Sequence, residues 1–328
     1  MSHDGRGSFL LRPGVDVDHL TVQDVLALTA LENALAETDG TDEFVDVGSV
    51  REQLGRPGLD LVRDTIAVRD GQQLLGYGTV TVAPSPDTSG RARVRIGGGV
   101  RPDHRRQGIG TRILAFQERR AQELLDDRHP GVPAHIHVSG GLEGAGVRYM
   151  LEHHGYRPVR VFQDLHRELP GESLVPPRVP DGIELVSPTD EHREAVREAH
   201  NAAFRDHWGS APTSTEVWAA EWGSHTARHE LSSIAVDSDG RVLAYAMADQ
   251  WLPDEVYIAL VGTRREARGR GLATAVLSRT LQLSIAAGGF DHAALGVDAD
   301  SPTGAHMLYE KLGFTLHKAF TTYAKDLG

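Results

Sequence analysis

The sequence predicts a mixed α/β protein built as two tandem domains, each a central twisted mixed sheet flanked by helices. Three observations predict it. The chain has 328 residues, too many for one ordinary core and suited to two. A stretch rich in Pro and Gly and without periodicity, "LPGESLVPPRVPDG" from Leu169 to Gly182, reads as a linker. On each side of it, candidate strands lead into an Arg/Gly loop that turns directly into an apolar helix. The loops are "RRQGIGTRIL" from Arg105 and "RGRGLATAVL" from Arg268, 163 positions later. The division is therefore 1–170, a linker at 171–182, and 183–328. A repeat of domain size implies duplication rather than a solenoid.

In the first half, "TVQDVLALTALENALAE" carries Val22, Val25, Leu26, Leu28 and Leu31 at roughly helical spacing and predicts a helix. "DTIAVRD", "LLGYGTVTVAP" and "ARVRIGGGV" read as strands, and the loop follows. "TRILAFQERRAQELL" is a helix, "AHIHVS" a strand, and a terminal helix ends in "HHGY". The second half opens on "GIELVSPTDEHREAVREAHNAAF", where Ser187 or Thr189 caps a helix. "LSSIAVDSDG" and "RVLAYAMADQ" are strands joined through the turn "DSDG". "EVYIALVGT" is a strand leading into the loop, and "TAVLSRTLQLSIAAGG" the helix after it. "HAALGVDAD" and "TGAHMLYEKLGF" close the half as strand and helix.

Composition bounds the function. The chain is 40% hydrophobic and 24% charged, as a globular protein is. Lys plus Arg number 34 against 46 for Asp plus Glu, a net charge of −12. A polyanion-binding protein has the opposite balance, so nucleic acid is not the expected partner, whereas a cationic small molecule such as an amine is compatible. The absence of cysteine removes disulfides and thiolate chemistry and fits a reducing, cytoplasmic setting. "MSHDGRGSFLLRPGVD" has only the short apolar patch Phe9 to Leu11, so no signal peptide is expected, and no segment is long enough to cross a bilayer. Nothing in the sequence fixes an oligomeric state.

The loops carry the chemistry. A loop between strand and helix exposes the first N–H groups of that helix, which have no partner inside it, and the helix dipole adds positive potential there. Gly269 and Gly271 let the main chain approach a ligand and take positive φ, while Arg268 and Arg270 add charge. The sum suits phosphates, and a pyrophosphate matches its reach. No Gly-Lys-Ser/Thr is present, so this is not a Walker loop.

The pattern resembles the acyl-CoA loop of the GNAT acetyltransferase superfamily, Arg/Gln-x-x-Gly-x-Gly/Ala. Arg105-x-x-Gly108-x-Gly110 and Arg268-x-x-Gly271-x-Ala273 both fit it. The first copy also carries "VRP" from Val100, and a terminal helix closing in "YEKLGF", Tyr309 to Phe314, is a second family feature. The second half is most similar to small bacterial acetyltransferases and to the tandem mycothiol synthase group, through "NAAFRDHWG" and "LGVDADSPTGAHMLYEKLGF". The resemblance implies acetyl-CoA as cosubstrate and no metal. In the second half it implies contacts from Leu260, Val261, Thr263, Arg268, Gly269, Arg270, Gly271, Leu272, Ala273 and Thr274. Ser301 stands where relatives often have Asn. In the first half the matching positions are Val100, Arg105, Arg106, Gln107, Gly108, Ile109, Gly110 and Thr111.

Acetyl transfer to an amine needs a base for the amine proton, a donor for the carbonyl oxygen and an acid for the departing thiolate. By family position the acid is Tyr309, whose alternative is a core tyrosine between Leu308 and Leu312. The base is Glu255, at the start of "EVYIALVGT", with Asp249 and Asp254 as alternatives and a solvated strand end as the bland one. The oxygen donor is a main-chain N–H near Leu260 or Val261. In the first half Leu151 aligns with Tyr309 and Ala92 with Glu255, so that half is expected to be non-catalytic, with or without a bound CoA. Tyr149 should point elsewhere, and Gly97-Gly98-Gly99 implies a close backbone approach or a bulge. The 17 histidines include His135 and His137 on one face of a strand and the adjacent His153 and His154, but no recognisable metal-ligand spacing; scattered surface histidines are expected. His207, Trp208 and Trp218 either line an acceptor pocket or pack an amphipathic helix. The function expected is N-acetylation of a small primary amine. Mycothiol synthesis or acetylation of a protein amino group are enzymic alternatives, and a non-catalytic acyl-CoA sensor or scaffold is one of another class.

Overall fold

The computed structural model describes residues 14–87, 89–170, 179–205, 210–301 and 304–327. The chain divides into two compact units. One comprises Met1–Ala83, Ala92–Val138 and Lys325–Gly328, the other Pro84–Arg91 and Ser139–Ala324.

The first unit runs β1 (Val15–Asp18), α1 (Val25–Asp39), α2 (Val47–Leu54), α3 (Leu61–Asp64), β2 (Thr65–Asp70), β3 (Gln73–Val82), β4 (Ala92–Val100), α4 (Ile109–Arg128) and β5 (Ala134–Ser139). Strands β1 to β4 form an antiparallel meander, and β5 joins β4 in parallel. Alternation splits the strand residues between two cores. Ala67, Leu74 and Tyr77 pack with Leu28 and Leu31 of α1, while Ile66, Val68 and Leu75 pack with Ile109 and Ile113 of α4. Helix α1 ends on Gly40 at φ 62, the left-handed cap that glycine adopts without strain.

The second unit runs α5 (Gly146–His153), β6 (Arg157–Glu168), β7 (Ile183–Val186), α6 (Arg193–Ala203), α7 (Thr215–Trp222), β8 (Ser233–Asp237), β9 (Val242–Asp249), β10 (Glu255–Thr263), α8 (Leu272–Ala287), β11 (His292–Asp298), α9 (Ala305–Lys311) and β12 (Thr315–Leu327). Strands β7 to β10 are antiparallel and β10 pairs β11 in parallel. Beyond β11 come β6 and then β12, both antiparallel. On one face Ala244, Ala246, Val256, Ile258 and Ala293 pack with Leu272, Val276 and Tyr309. On the other, Tyr245 and Met247 pack with Val196, Trp218 and Trp222. Thr189, not Ser187, leads into α6: its N–H donates to His192 Nδ1 at 3.1 Å, while the Ser187 hydroxyl turns to Glu230 O.

Strands β4, β5 and β10 start and stop where the sequence predicts. Strands β6 and β12 were not expected; each half was read as ending on its helix. Their segments, "RPVRVFQDLHRE" and "TLHKAFTTYAKDL", are largely half-exposed and interleave charge with apolar residues, so no clean period of two marks them. Strand β6 follows the first half in the chain yet lies between β11 and β12 of the second unit.

Candidate active site

The two loops share one backbone. Arg105 and Arg268 sit at φ −67, ψ 161 and φ −65, ψ 157; Gly108 and Gly271, the residues preceding α4 and α8, at φ 82 and φ 78. Gly269 has φ 76, and at the same place in the first loop Arg106 has φ 63. The first helical bonds run from Arg112 N to Gly108 O and from Ala275 N to Gly271 O. The N–H groups of Ile109, Gly110 and Thr111, and of Leu272, Ala273 and Thr274, therefore precede any intrahelical acceptor. Gly269 and Gly271 are exposed, with nothing within 4 Å of where a β-carbon would stand, so a ligand can reach the main chain.

The first arginine of each loop is tied to oxygens of the chain itself. Arg268 donates to Ala203 O at 3.0 Å and Thr263 O at 3.4 Å, and Arg105 donates to Val100 O and bidentately to Asp39, both at 2.7 Å. Each braces its loop. Arg106, Gln107 and Arg270 are exposed.

Beside the second loop, β10 changes parity. Ile258 pairs with Ala248 and Leu260 with Met247, leaving Ala259 as an extra residue, a β-bulge. Val256 and Ile258 lie in the α8 core. Past the bulge Leu260 packs on the α6 and α7 side and Val261 on the α8 side, the reverse of unbroken alternation. Pairing with β11 ends at Tyr257 and Ala294. From there the two parallel strands part, and among the described residues the β10 edge facing β11 has no strand partner. Thr263, at its end, has a buried hydroxyl with no hydrogen-bond partner among the described residues. An unpaired strand edge, an orphaned hydroxyl and three open helix N–H groups in sequence fit the amide-rich arm and diphosphate of a coenzyme A thioester. Ser301 donates its N–H to Asp298 O at 3.0 Å.

The first half differs where chemistry is at stake. Its β3–β4 register runs unbroken from Val82↔Val94 to Gly76↔Val100, so the glycine run marks a close approach rather than a bulge. A β-carbon at Gly98, where φ is 140, would lie 2.2 Å from Tyr77 O, and one at Gly99 would lie 2.3 Å from Leu35 Cδ1. Glu255 pairs in register with His292, and the equivalent first-half pair is Ala92 with Ala134. Tyr309 O accepts from Phe314 N as Leu151 O accepts from Tyr156 N, both at 3.0 Å, so Leu151 occupies the Tyr309 position. Tyr149 is 68% exposed.

Tyr309 is buried on α9, its ring 6.1 Å edge-on from Phe314, and burial pushes its hydroxyl up to about 12. It keeps its proton throughout the neutral range. Glu255 is no solvated strand end: it is 7% exposed and its Oε2 lies 3.0 Å from His292 Nε2. Burial raises its pKa, and the imidazole beside it pulls the other way. The alternative Asp254 is exposed. Sequence reasoning missed His292 and, on the neighbouring strand, His166, whose ring stacks 4.7 Å from that of His292.

His135 and His137 share a face as expected, with rings 4.2 Å apart, but they are buried rather than on the surface. Trp218 is a packing residue, 3% exposed, its Nε1 donating to Arg193 O; His207 and Trp208 lie outside the described residues. No helix among the described residues is long and apolar enough to cross a membrane.

Comparison with known proteins identifies the family and the fold. The model of the acetyltransferase (GNAT) family matches residues 30–129 and 193–314, together more than half of the chain. A mycothiol acetyltransferase of Geodermatophilus obscurus is 29% identical over 92% of this chain and 94% of its own. Among solved structures, a GCN5-related N-acetyltransferase from Sphaerobacter thermophilus aligns with TM-score 0.75 and 24% identity over 97% of both chains. A tandem GNAT protein from the clavulanic acid biosynthesis pathway aligns with TM-score 0.70 and 18% identity over 96% of this chain and 99% of its own.

Proposed function

The chain belongs to the acetyltransferase (GNAT) family, and from that premise we propose that it transfers the acetyl group of acetyl-CoA to a primary amine of a small molecule, with the chemistry in the C-terminal half, 183–328. The observation that carries the proposal is an asymmetry between halves. Two loops of one geometry each offer open helix N–H groups, but among the described residues the strand leading into the loop is bulged only in the second half, and the carboxylate and phenol at the Glu255 and Tyr309 positions are replaced by Ala92 and Leu151 in the first. Ala92 and Leu151 leave the first half without a base or an acid, and its role is support.

Acetyl-CoA, when bound, supplies an acetyl thioester. In the second half the N–H groups of Leu272, Ala273 and Thr274 hold its diphosphate, with Gly269 and Gly271 giving access. The free edge of β10 receives the arm, and a main-chain N–H beside the bulge, at Leu260 or Val261, donates to the carbonyl oxygen. Glu255 takes the proton that the amine must lose to attack; a carboxylate whose pKa is raised by burial is better matched to that task. Tyr309 donates a hydrogen bond to the departing sulfur. The acceptor of the relatives named mycothiol acetyltransferase is the second reading, favoured by their match along nearly the whole chain.

Isothermal titration with acetyl-CoA, then thiol release over a panel of amines, tests the proposal. Tyr309→Phe should keep acetyl-CoA affinity and lower turnover by tenfold or more. Failure of the full chain to bind acetyl-CoA overturns the proposal, as does a Tyr309→Phe protein with undiminished turnover.

A further inference from the structure

Three strands of the second unit bring nitrogen and oxygen ligands to one spot. Glu255 opens β10 and His292 opens β11, and the two are register partners. His166 lies on β6, opposite Ala294 of β11. Their neighbours Val256, Ala293 and Leu165 all point into the α8 core, so by alternation Glu255, His292 and His166 share the other face. One ligand atom from each lies within 4.8 Å of the others. Asp164 Oδ2, 3.1 Å from His166 Nε2, adds a second carboxylate, and the exposed ring of His317 stacks 3.9 Å from His166.

A carboxylate as buried as Glu255 is costly unless its charge is met, and a neutral imidazole offers one N–H to one oxygen. A divalent ion meets it fully. Two imidazoles and a carboxylate select zinc, cobalt, nickel or copper over magnesium or calcium. Ligands on a tetrahedral ion stand ~3.4 Å apart, so from a separation of at most 4.8 Å the three ligand atoms need close in by no more than ~1.4 Å, with a fourth position left to water. The fold does not demand these residues, because Ala92 and Ala134 hold the equivalent register pair in the first unit.

We propose that Glu255, His292 and His166 form a binding site for one divalent transition-metal ion of zinc type. An ion there occupies the carboxylate, so metal binding and acetyl transfer exclude one another. Only that consequence rests on the proposed function; the site itself does not.

The test uses the full-length protein, stripped with chelator and free of acetyl-CoA. Calorimetric titration with zinc chloride, and the visible absorption of tetrahedral cobalt(II), read binding directly. One ion per chain is expected. His292→Ala, His166→Gln and Glu255→Gln should each weaken it at least tenfold, while the double change His135→Ala/His137→Ala should not. Circular dichroism and thermal melts show that each variant is folded, and His166→Gln keeps the proposal testable should His292→Ala fail to fold. Absence of stoichiometric binding overturns the proposal. So does binding that survives both His292→Ala and His166→Gln, since the ion is then elsewhere. In the amine assay, zinc should inhibit at the concentrations that fill the site. Metal binding without any metal-free turnover sinks the transferase reading and leaves the site; turnover indifferent to a filled site sinks the claimed exclusion.

Discussion

Replacing Gly271 by alanine isolates the backbone contribution to the loop. Gly271 is the residue before α8, at φ 78, and a β-carbon there meets nothing within 4 Å. The cost is therefore conformational alone, roughly 1–2 kcal/mol for an L-residue held in the left-handed region. Because the residue is exposed and nothing packs on it, the loop can relax by turning its peptide groups, and the penalty falls on the ligand rather than on the fold. At about 1.4 kcal/mol per tenfold, acetyl-CoA affinity should drop ~5- to 30-fold, while the melting temperature barely moves. Calorimetric titration of Gly271→Ala beside the parent measures this. Gly269→Ala is the internal comparison: Gly269 has φ 76 and equally open surroundings, so a penalty of similar size is expected there. Gly108→Ala should leave affinity at the second loop unchanged. A Gly271→Ala protein that binds acetyl-CoA within twofold of the parent refutes the argument that main-chain geometry at this helix start grips the anion.

Other outcomes follow from packing and charge. Gly262→Ala would set a β-carbon 2.3 Å from the hydroxyl of Tyr245, which is fully buried and bonded to His200 Nδ1 at 2.9 Å. Overpacking and the lost bond should together cost about 2–4 kcal/mol, and a urea melt that shifts by less than 0.5 kcal/mol (roughly the range of a neutral surface change) speaks against it. Asp64→Ala removes the buried partner of Arg120, 5% exposed and 2.9 Å away, and leaves it the exposed carboxylate of Glu123 at 2.9 Å. A loss of roughly 1.5–3 kcal/mol in chemical denaturation is expected; a near-neutral effect shows the pair to be dispensable. Tyr309, raised from 10.0 to about 12, contributes stability that is whole below pH ~10 and is lost as pH rises through ~12, up to about 3 kcal/mol. Tyr77 and Tyr245, also raised by burial, act in the same direction. Phenolate absorbance should then show these rings ionising together with unfolding, and smooth independent titration near pH ~10 counts against their burial.

The legible parts of the molecule were those with a local cause. Both loops announce themselves because glycine is needed where φ is positive, and β10 because an apolar run ends at a turn. The proposed acid and base, Tyr309 and Glu255, rest on resemblance to the family rather than on any local pattern. What stayed hidden is made by contacts between distant segments. His166 and His292 are 126 positions apart and meet only because β6 lies beside β11. The bulge falls on Ala259, a residue with no preference for it. Asp39 anchors Arg105 across 66 positions, which is why a loop arginine looked available for phosphate when its fork was already filled.

The position of β6 between β11 and β12 bears on how such a gene can be dissected. A fragment cut at the linker and carrying only 183–328 would lack the ribbon that separates its last two strands. It would expose a raw sheet edge to solvent, and raw edges recruit other chains. Expression of that fragment should yield aggregates or swapped dimers, and any cleavable version of this protein must begin its second piece before Arg157. The two family-matched regions are therefore not separable at the linker, because β6 is built into the sheet of the second.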